Sequence, residues 1–392
     1  MKILYGVQGT GNGHISRARM MARHFNDRPD IDVTYLFSGR SRNEFFDMEI
    51  FGDYQCRRGL TFIAKRGRLS YLDTIRNNNL RRFYSEVKRL NPGSYDLVIT
   101  DYEPVSAWAA RLAGAPVLGL GHQYAFNHDI PREGGNRISW LLMHHFAPAR
   151  DAFGLHWNSF GERILPPIVD PRLVELAVRL GTDKRKIIVY LPFENQAEVT
   201  AVLSQIPGFR FYQYAPDLTD AECQHISLRR TSHTGFTRDL CSAAGVICNA
   251  GFELVSESIQ LGLKALVKPL KGQPEQISNA AALVSLNLAS RVETLSLDRI
   301  EQWLDSLDRP DGNTARIAYP DVAGALVDWI GGDFSCTADR LVQLLWSGCA
   351  VPMDSGQSDM RSTNSAPGDR ESVIAYQESA VDGQCQGFAT QR

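Results

Sequence analysis

The first 26 residues constrain the fold more than any other stretch of the chain. A short apolar run, KILYGV (residues 2–7), leads into a glycine-rich turn and then into a segment with helical periodicity. In that segment Ile15, Ala18, Ala22 and Phe25 recur at a spacing that puts them on one helix face. A buried strand, a tight turn and an amphipathic helix form the first half of a βαβ unit. The sequence therefore predicts an α/β fold built on a parallel sheet.

The same alternation of strand and helix continues along the chain in two blocks. The predicted strands are residues 2–7, 32–39, 95–101 and 116–122 in the first block, and 186–193, 209–215, 245–251 and 264–270 in the second. Three prolines in GERILPPIVDP (161–171) stiffen the chain between the blocks and exclude a helix there. We therefore predict two Rossmann-like, doubly wound domains that face a cleft, residues 1–160 and 172–348, joined by the linker 161–171.

The amino-acid composition limits the cellular compartments and the binding partners that we expect for this protein. Seven cysteines are scattered without a CxxC pair, and the histidines lack a spacing such as HExxH, so we expect no disulfide framework and no metal site. The net charge of −2 gives no reason to expect nucleic acid. The N-terminus reads as a strand and no run is as long as a membrane span, so we expect a cytoplasmic protein. Residues 349–392 are rich in Ser, Gly, Gln and Asp, and we predict a disordered tail.

The glycine-rich turn after the first strand has the features of a ligand site. Gly9, Gly11 and Gly13 let a ligand approach the backbone, and the amides that open the next helix favour anions. His14 follows at the carboxyl end of the predicted strand, where a neutral imidazole can act as a general base. Two alternatives stay open. The glycines can serve only a tight turn, or Arg40 after the second strand can accept the 2′-phosphate of NADP.

A second glycine turn opens a helix in the second block, within NAGFELVSESIQLG (249–262). Here the amides of Gly251 and Phe252 would face a diphosphate, and a glutamate of the helix would pair with two ribose hydroxyls. The alternative is that Glu253 and Glu257 only benefit from the helix dipole. The polar loop after the next strand offers side chains that suit the hydroxyls of a sugar: Gln273, Glu275 and Gln276.

This order of features resembles the donor-binding segment of GT-B glycosyltransferases: a glycine turn, a glutamate-bearing helix, a short strand, a proline, and Glu-Gln before the next helix. The chain is similar to the peptidoglycan family that adds N-acetylglucosamine to undecaprenyl-diphospho-muramoylpentapeptide, and to a related group of bacterial and archaeal glycosyltransferase-like proteins. The resemblance covers most of the chain before the predicted tail, and its specific motifs lie in the two glycine loops.

The resemblance implies a role for each matching residue. The residues that match the family's G-x-G-G-H-type loop beside the acceptor are Gly11, Asn12, Gly13 and His14, with Asn12 in place of a glycine. The positions that match the donor site are Phe236 near the nucleobase, Asn249, Gly251 and Phe252 at the glycine turn, Glu257 on the ribose, and Gln273, Glu275 and Gln276 at the sugar. One departure concerns phosphate. LPFENQ (191–196) stands where the family has a Gly-Gly-Ser-type loop, and Asn195 or a backbone amide is the substitute we consider.

Polar residues follow two further predicted strands of the first block. Asp101 and Glu103 come directly after DLVIT, and we assign Asp101 to the catalytic pair with His14 and Glu103 to the acceptor. The alternative is that either carboxylate only caps the next helix. The strand after it leads into three polar side chains for which we predict acceptor contacts: His122, Gln123 and Tyr124.

Residues 57–90 form a basic segment. It carries ten basic and two acidic residues, a local net charge of +8, interleaved with aromatic and aliphatic side chains. Such a segment suits an anionic membrane surface or a phosphorylated acceptor. A solvated basic face is the alternative, and nucleic acid is not expected because no binding motif accompanies the charge.

Together these features predict a glycosyltransferase that moves a sugar from a nucleotide-diphosphate sugar to a hydroxyl acceptor, either lipid-linked or a glycan. We expect no metal and no further cofactor, because helix amides would stabilise the leaving group, and the resemblance implies inversion at the anomeric carbon. Binding of the basic segment to lipid would put the protein at the inner face of the membrane. Three alternatives remain: a nucleotide-sugar 2-epimerase of the same fold, an NADP-linked oxidoreductase, and a non-enzymatic regulator that binds sugar nucleotides.

Overall fold

The computed structural model describes residues 1–61, 64–65, 68–69, 78–307, 316–332 and 336–350. The predicted tail, apart from its first two residues, lies outside these ranges, and so does much of the centre of the basic segment. None of the helices within the described ranges is both long and apolar enough to cross a membrane.

The first block folds into a parallel sheet. Its strands are β1 (Lys2–Gln8), β2 (Asp32–Ser38), β3 (Gln55–Arg57), β6 (Leu97–Asp101), β7 (Val117–Gly121), β8 (Asp151–Leu155) and β9 (Ile164–Leu165), and a separate antiparallel hairpin consists of β4 (Ala64–Lys65) and β5 (Arg68–Leu69). The strand order is β3-β2-β1-β6-β7-β8-β9, and every neighbouring pair is parallel. The four strands predicted in this block are confirmed.

Helices cover this sheet and connect its strands. They are α1 (Asn12–Asn26), α2 (Leu80–Arg89), α3 (Pro104–Ala113), α4 (His122–Ala125) and α5 (Arg137–Phe146), with short 3-10 turns at Arg42–Glu44, Glu49–Phe51 and Pro92–Ser94. The apolar face predicted for α1 is buried, because Ile15, Ala18, Ala22 and Phe25 all pack in the core. β1 is buried on both faces, as a central parallel strand covered by helices must be.

The second block repeats the architecture. Its strands are β10 (Lys186–Tyr190), β11 (Arg210–Ala215), β12 (Ala221–Cys223), β13 (Ile226–Arg230), β14 (Gly245–Asn249), β15 (Lys264–Lys268) and β16 (Ser290–Arg291), in the order β12-β13-β11-β10-β14-β15-β16. Only the edge pair β12–β13 is antiparallel. The helices are α6 (Arg172–Leu180), α7 (Gln196–Leu203), α8 (His233–Cys241), α9 (Phe252–Leu261), α10 (Pro274–Ser285), α11 (Leu297–Leu307), α12 (Val322–Gly331) and α13 (Ala338–Ser347).

The strand orders fix where a ligand can bind. In the first sheet the chain winds outward from β1 to one side and from β6 to the other, so the strand order reverses between these two strands. The second sheet reverses in the same way between β10 and β14. Open α/β sheets bind ligands at the carboxyl ends of strands at such a switch point. The two glycine turns lie at these two points, one after β1 and the other after β14.

Two placements differ from the predicted domain boundaries. The predicted linker contains β9, which extends the first sheet beside β8. The last two helices, predicted to belong to the second domain, return to the first sheet. The Trp329 ring of α12 packs against Phe153 of β8, and Trp346 Nε1 of α13 donates to the Ile164 carbonyl oxygen of β9 at 2.7 Å. The described residues, the last of which is Ala350, form one compact unit.

Candidate active site

The first glycine turn brings α1 close to the sheet. A Cβ at Gly9 would lie 2.6 Å from the Phe45 ring and 2.7 Å from the Ser38 carbonyl oxygen, so only glycine fits there. Gly11 is the N-cap of α1, and a Cβ at that position would meet nothing within 4 Å. The turn is therefore packed tightly on its sheet side and open at Gly11. His14 follows in the first turn of α1.

His14 and Asp101 form a pair at the switch point of the first sheet. His14 Nδ1 lies 2.8 Å from Asp101 Oδ1, at the end of β6. Asp101 has no solvent exposure. Burial acts to raise the pKa of its carboxyl, but the charges of Arg17 and His14 and their hydrogen bonds outweigh burial and hold that pKa below its usual value. When the His14 proton is on Nδ1, that N–H donates a hydrogen bond to the ionised Asp101 carboxylate, and the lone pair is on Nε2.

Arg17 connects this pair to the second glycine turn. Its Nε and Nη2 donate to the two oxygens of Asp101 at 2.8 and 2.6 Å, and its Nη1 contacts Glu253 of α9. Burial acts to lower the pKa of the guanidinium, and the charges of Asp101 and Glu253 raise it beyond its usual value. The sequence prediction did not include Arg17. The signal available was its position, one helical turn after His14 on the same face.

Glu103 has the structural role that was the alternative in the sequence analysis. It is fully buried at the N-cap of α3, where its carboxylate accepts from the amides of Val105 and Ser106 and from the hydroxyl of Ser38. Burial raises the pKa of Glu103, and these hydrogen bonds partly offset that rise. This placement replaces the acceptor contact expected of Glu103, because its oxygens are already occupied.

Asn12 and Arg40 close the first loop on its other side. Arg40 Nη2 donates to Asn12 Oδ1 at 2.7 Å, and Arg40 Nε donates to the Gly9 carbonyl oxygen. Its guanidinium also lies over the Phe45 ring, 5.1 Å from the centroid. Two of the three guanidinium nitrogens of Arg40 thus donate to the loop itself. Few N–H groups are left for the bidentate contact that a 2′-phosphate would require.

The three polar residues after β7 have different environments. His122 is buried, with Nδ1 2.8 Å from the Leu155 carbonyl oxygen, Nε2 2.7 Å from Asn279 Oδ1, and its ring stacked at 4.1 Å on Phe252. Tyr124 is also buried, and its hydroxyl donates to a carbonyl oxygen. Both side chains therefore hold protein contacts in place of the acceptor contacts expected of them.

Gln123 differs from its two neighbours. Its Nε2 donates to Glu275 Oε1 at 3.2 Å, across the cleft. Its Oε1 is buried and has no hydrogen-bond partner among the described residues. That oxygen lies close to Gly121, where a Cβ would also meet Asp101 and Arg17. Among the described residues Gln123 therefore presents an unsatisfied acceptor beside the pair of His14 and Asp101, and such a group requires a donor from water or a ligand.

The second glycine turn opens α9 towards the cleft. Gly251 is the N-cap of α9, and a Cβ there would meet nothing within 4 Å. The Gly251 amide donates to the Asn249 carbonyl oxygen at 2.8 Å, so the amides left for an anion are those of the first helical turn, beginning at Phe252. The Asn249 side chain donates to the Lys268 carbonyl oxygen, while its buried Oδ1 has no partner among the described residues.

Glu257 lies one turn further along α9, beside a cavity of about 30 Å³. The cavity is also lined by Arg17, Met20, Ile168, Asp170 and Thr237. Burial raises the pKa of Glu257 to about 8, and the carboxylates of Glu253 and Asp170 add to the rise. The cavity has room for about one water molecule. A ribose at Glu257 would therefore require it to widen.

The remaining residues predicted for the donor site belong to the second block, in or beside α8 and α10. Phe236 of α8 packs edge-on against Tyr190 and Tyr214, with ring centroids 5.5 and 5.0 Å apart, and its neighbour Thr237 lines the cavity at Glu257. Glu275 faces Gln123. Gln273 is the N-cap residue of α10, and Gln276 is buried with its Oε1 accepting from the Leu270 amide.

The loop that replaces the family's Gly-Gly-Ser-type segment is occupied by its own contacts. Asn195 caps α7 by accepting from the amides of Ala197 and Glu198. Glu194 instead forms a close ion pair with Lys268 at the end of β15, with Nζ and Oε1 2.6 Å apart. Asn195 is therefore committed to the helix and is not available for phosphate. Within the described ranges, no group of three or more His, Cys, Asp or Glu side chains is arranged to hold a metal ion.

Several solved structures have this fold at low sequence identity. Acinetobacter baumannii MurG is 16% identical, with 88% of this chain and 99% of that chain covered and a TM-score of 0.51. Phytolacca americana UGT2, complexed with UDP-2-fluoro-glucose and pterostilbene, is 14% identical, with 88% and 98% covered and a TM-score of 0.53. Streptomyces sp. SF2575 SsfS6, complexed with thymidine diphosphate, is 12% identical, with 89% and 100% covered and a TM-score of 0.52.

At these identities the likeness is one of fold, and it confirms two Rossmann-like domains in the GT-B arrangement. No curated protein sequence matches the chain. The family model described as glycosyl transferase family 1 matches residues 1–308, which include both glycine turns and every residue of the candidate site. The protein therefore belongs to glycosyl transferase family 1 and is a glycosyltransferase.

Proposed function

We propose that this glycosyltransferase moves a sugar from a nucleotide-diphosphate sugar to an acceptor hydroxyl, with His14 as the general base. The observation that carries the proposal is the 2.8 Å contact between His14 Nδ1 and Asp101 Oδ1 at the switch point of the first sheet. A proton held on Nδ1 leaves Nε2 free to accept one. Among the described residues no protein group bonds to Nε2, and the His14 side chain is partly exposed.

The proposed step exchanges one bond at the anomeric carbon for another and moves one proton. The acceptor oxygen bonds to the anomeric carbon of the sugar while His14 Nε2 takes the hydroxyl proton. The bond between the anomeric carbon and the diphosphate oxygen breaks, and its electron pair leaves with the nucleoside diphosphate. Attack opposite the leaving group inverts the anomeric carbon. Asp101 stabilises the imidazolium, and the first-turn amides of α9 stabilise the charge on the leaving group, so the step needs no metal ion.

The donor site that we propose follows the edge of the second sheet. Glu257 accepts hydrogen bonds from the ribose, Phe236 lies at the nucleobase, and Glu275 contacts the sugar. Two observations support this order: Thr237, next to Phe236, lines the cavity at Glu257, and Glu275 faces Gln123 across the cleft. Proteins of the same fold that are complexed with thymidine diphosphate and with UDP-2-fluoro-glucose also support a nucleotide donor.

The acceptor hydroxyl belongs between the first glycine loop and Gln123. Gly11 leaves open space, and Gln123 Oε1, which has no partner within the part of the chain that the structure describes, supplies a hydrogen-bond acceptor near Asp101. A hydroxyl of the acceptor or of the transferred sugar would satisfy that oxygen, whose burial otherwise costs about 1–3 kcal/mol.

We also propose that α2 binds an anionic membrane surface. Leu80 and Tyr84 are 68% and 58% exposed on this helix. Its exposed basic residues are Arg81, Arg82, Lys88 and Arg89. Exposed apolar side chains among cations fit a lipid interface. Sedimentation with phosphatidylglycerol vesicles should carry wild-type protein but not the L80E/Y84E variant, and phosphatidylcholine vesicles should carry neither. Equal sedimentation of variant and wild type with phosphatidylglycerol would contradict this part of the proposal.

The first experiment is calorimetric titration of the full chain with UDP, GDP, dTDP and NADP⁺. Binding of one nucleoside diphosphate that weakens about tenfold or more in Glu257→Ala is the expected result, because the variant loses hydrogen bonds to the ribose. The Glu175→Ala variant, which changes an exposed glutamate on α6, is the matched control and should bind like the wild type. Failure of every nucleoside diphosphate to bind would overturn the donor assignment.

The second experiment tests His14 as the general base. Its donor substrate is a sugar nucleotide built on the nucleoside diphosphate that binds in the first experiment. His14→Ala should retain nucleotide affinity and lose about 10²–10⁴-fold in turnover, the usual contribution of a general base. Turnover should persist in EDTA. Turnover of His14→Ala equal to that of the wild type would remove His14 from the role of base, and loss of turnover in EDTA would overturn the metal-independent step.

A further inference from the structure

Arg17 is a buried cation that uses all three guanidinium nitrogens on carboxylates from the two domains. Its side chain is 1% exposed. Nε and Nη2 bind Asp101, the last residue of β6 in the first domain, and Nη1 contacts Glu253 in the first turn of α9 in the second domain. A bidentate fork on Asp101 and a third contact on Glu253 fix the plane of the guanidinium, because the group is rigid.

The first glycine loop makes room for the contact between Glu253 and Arg17. A Cβ at Gly13 would overlap the Glu253 carboxylate, so the loop has a glycine at the point where this side chain crosses to Arg17. Glu253 is 21% exposed, whereas Arg17 is sealed. Glu253 is thus the partly exposed member of this cluster, and α9 carries it.

The orientation of Arg17 bears directly on the tautomer of His14. Arg17 Nη2 lies 3.0 Å from His14 Nδ1, while Asp101 Oδ1 lies 2.8 Å from the same nitrogen. The two neighbours make opposite demands. If Nδ1 carries the proton it donates to Asp101, and Nε2 is the base. If Nδ1 is unprotonated it accepts from Arg17, the proton sits on Nε2, and the base is lost.

We infer that Arg17 is a positioning residue through which Glu253 of the second domain sets the tautomer of His14. With Glu253 engaged, the fork stays on Asp101, and the Asp101 carboxylate accepts from His14 Nδ1–H. Without Glu253, Nη2 turns towards the Nδ1 lone pair and the other tautomer grows. The base is therefore active only when the helix that would hold the donor has closed onto the first domain. This inference rests on the proposed role of His14 as the base.

The test is the tautomer itself, read from the side-chain nitrogen resonances of the full chain labelled with ¹⁵N-histidine. The signals that vanish in His14→Ala identify His14. The expected wild-type form of the neutral ring is Nδ1–H. Glu253→Ala should shift the population towards Nε2–H, and the conservative Glu253→Gln, which keeps an oxygen for Arg17, should restore most of the Nδ1–H form. Glu133→Gln, at the ion pair between Glu133 and Arg291, is the control and should change nothing.

Kinetics gives a second readout. With a sugar nucleotide built on the nucleoside diphosphate that binds, Glu253→Ala should lower kcat on the order of tenfold, within the range of ordinary coupling between sites, and Glu253→Gln should recover most of the loss. A tautomer indifferent to Glu253→Ala would overturn the inference, while nucleotide binding and the His14 dependence of turnover would still support the proposed function. An Nε2–H wild type would overturn both the inference and the role of His14 Nε2 as the base. If the His14 tautomer responds to Glu253→Ala but the protein has no transferase activity, the coupling between Glu253 and His14 would stand. The role of His14 as the general base would then be overturned.

Discussion

Two carboxylates only two positions apart, Asp101 and Glu103, have opposite properties because of their surroundings. Both are completely buried. Asp101 faces the Arg17 fork, and charge outweighs burial to keep its pKa low. Glu103 faces hydroxyl and amide donors without a full positive charge, and burial keeps its pKa high. Burial alone therefore does not decide the charge of a carboxyl here. A buried cation does, and it makes Asp101 suitable for stabilising an imidazolium.

Glu257 leads to a prediction about pH. Its pKa is raised to about 8 in the folded protein, mainly by burial, against the ordinary value of 4.5 in an unfolded chain. Below that ordinary value both states carry the proton. As the pH rises towards 8 the unfolded state loses its proton first, so ionisation progressively destabilises the fold. Replacing Glu257 by glutamine, which cannot ionise, removes this penalty.

We expect Glu257→Gln to melt at a higher temperature than the wild type at pH 9 and at nearly the same temperature at pH 5. The gain at pH 9 is on the order of 1–2 kcal/mol, discounted for the water that screens a partly exposed group. Thermal melts at the two pH values measure it, with Glu175→Gln as the control that should follow the wild type at both. A gain of equal size at pH 5 would mean that packing, and not ionisation, is responsible.

At the scale of elements, the two ends of α9 assign different roles to glycine. Gly251 at the N-cap has φ of −75° and open space around it, so any residue could adopt that backbone conformation. Gly262 after the last turn has φ of +73°, the left-handed conformation that favours glycine. Gly262 is therefore needed to end the helix. Gly251 leaves room for a ligand beside the amides of the first helical turn.

This difference predicts a separation of stability from binding. Gly251→Ser should change stability by only a few tenths of a kcal/mol, since serine is a good N-cap, yet weaken the bound nucleoside diphosphate by blocking its approach. Gly262→Ala should cost about 1 kcal/mol and leave nucleotide affinity unchanged. Melting temperature and calorimetric titration of both variants measure the two effects. Unchanged affinity in Gly251→Ser would show that the diphosphate does not lie at this helix end.

At the scale of the whole molecule, the last two helices fasten the chain back onto the first sheet. α13 buries Leu341, Val342 and Leu345, and the indole of Trp346 reaches the carbonyl oxygen of Ile164. Further back, His24 of α1 pairs with Asp321 at the start of α12, with Nε2 and Oδ2 3.1 Å apart. The C-terminal helices thus stabilise the first domain, although they follow the second in the chain.

A pair of truncations tests this arrangement. Deleting 351–392 should leave the melting temperature nearly unchanged, because the composition of that segment offers little apolar surface to bury. Deleting 337–392 removes α13 as well, and each lost buried side chain should cost about 1.5–3 kcal/mol. Thermal melts of the two shortened chains and the full chain give the comparison. A large loss from the shorter deletion would show that the tail packs against the rest of the protein.

Local pattern alone was enough to predict the central strands and the α1 face. β1, β6, β10 and β14 are continuous apolar runs because both faces of a parallel sheet are covered. Short edge strands escaped prediction, β9 and β16 above all, since two residues show no period and pair only because a neighbouring strand is present. The packing of α12 and α13 against the first sheet was not predicted either. The amphipathic pattern of a helix shows which face is buried but not which surface covers that face.

The sequence by itself determined the family, the GT-B fold and the loops in which the site lies. Backbone requirements are local, and a glycine turn between a strand and a helix specifies its own geometry. Only the tertiary structure decided what each polar side chain does there. Asp101 holds His14 while Glu103 caps a helix, and Arg17 joins Asp101 to Glu253, which lies 236 positions after Arg17 in the chain. Among the described residues Gln123 Oε1 has no partner, whereas the His122 ring and the Tyr124 hydroxyl have theirs. The role of a buried charge depends on partners that are far apart in the chain and meet only when the two domains pack together. A local sequence pattern carries no information about such contacts.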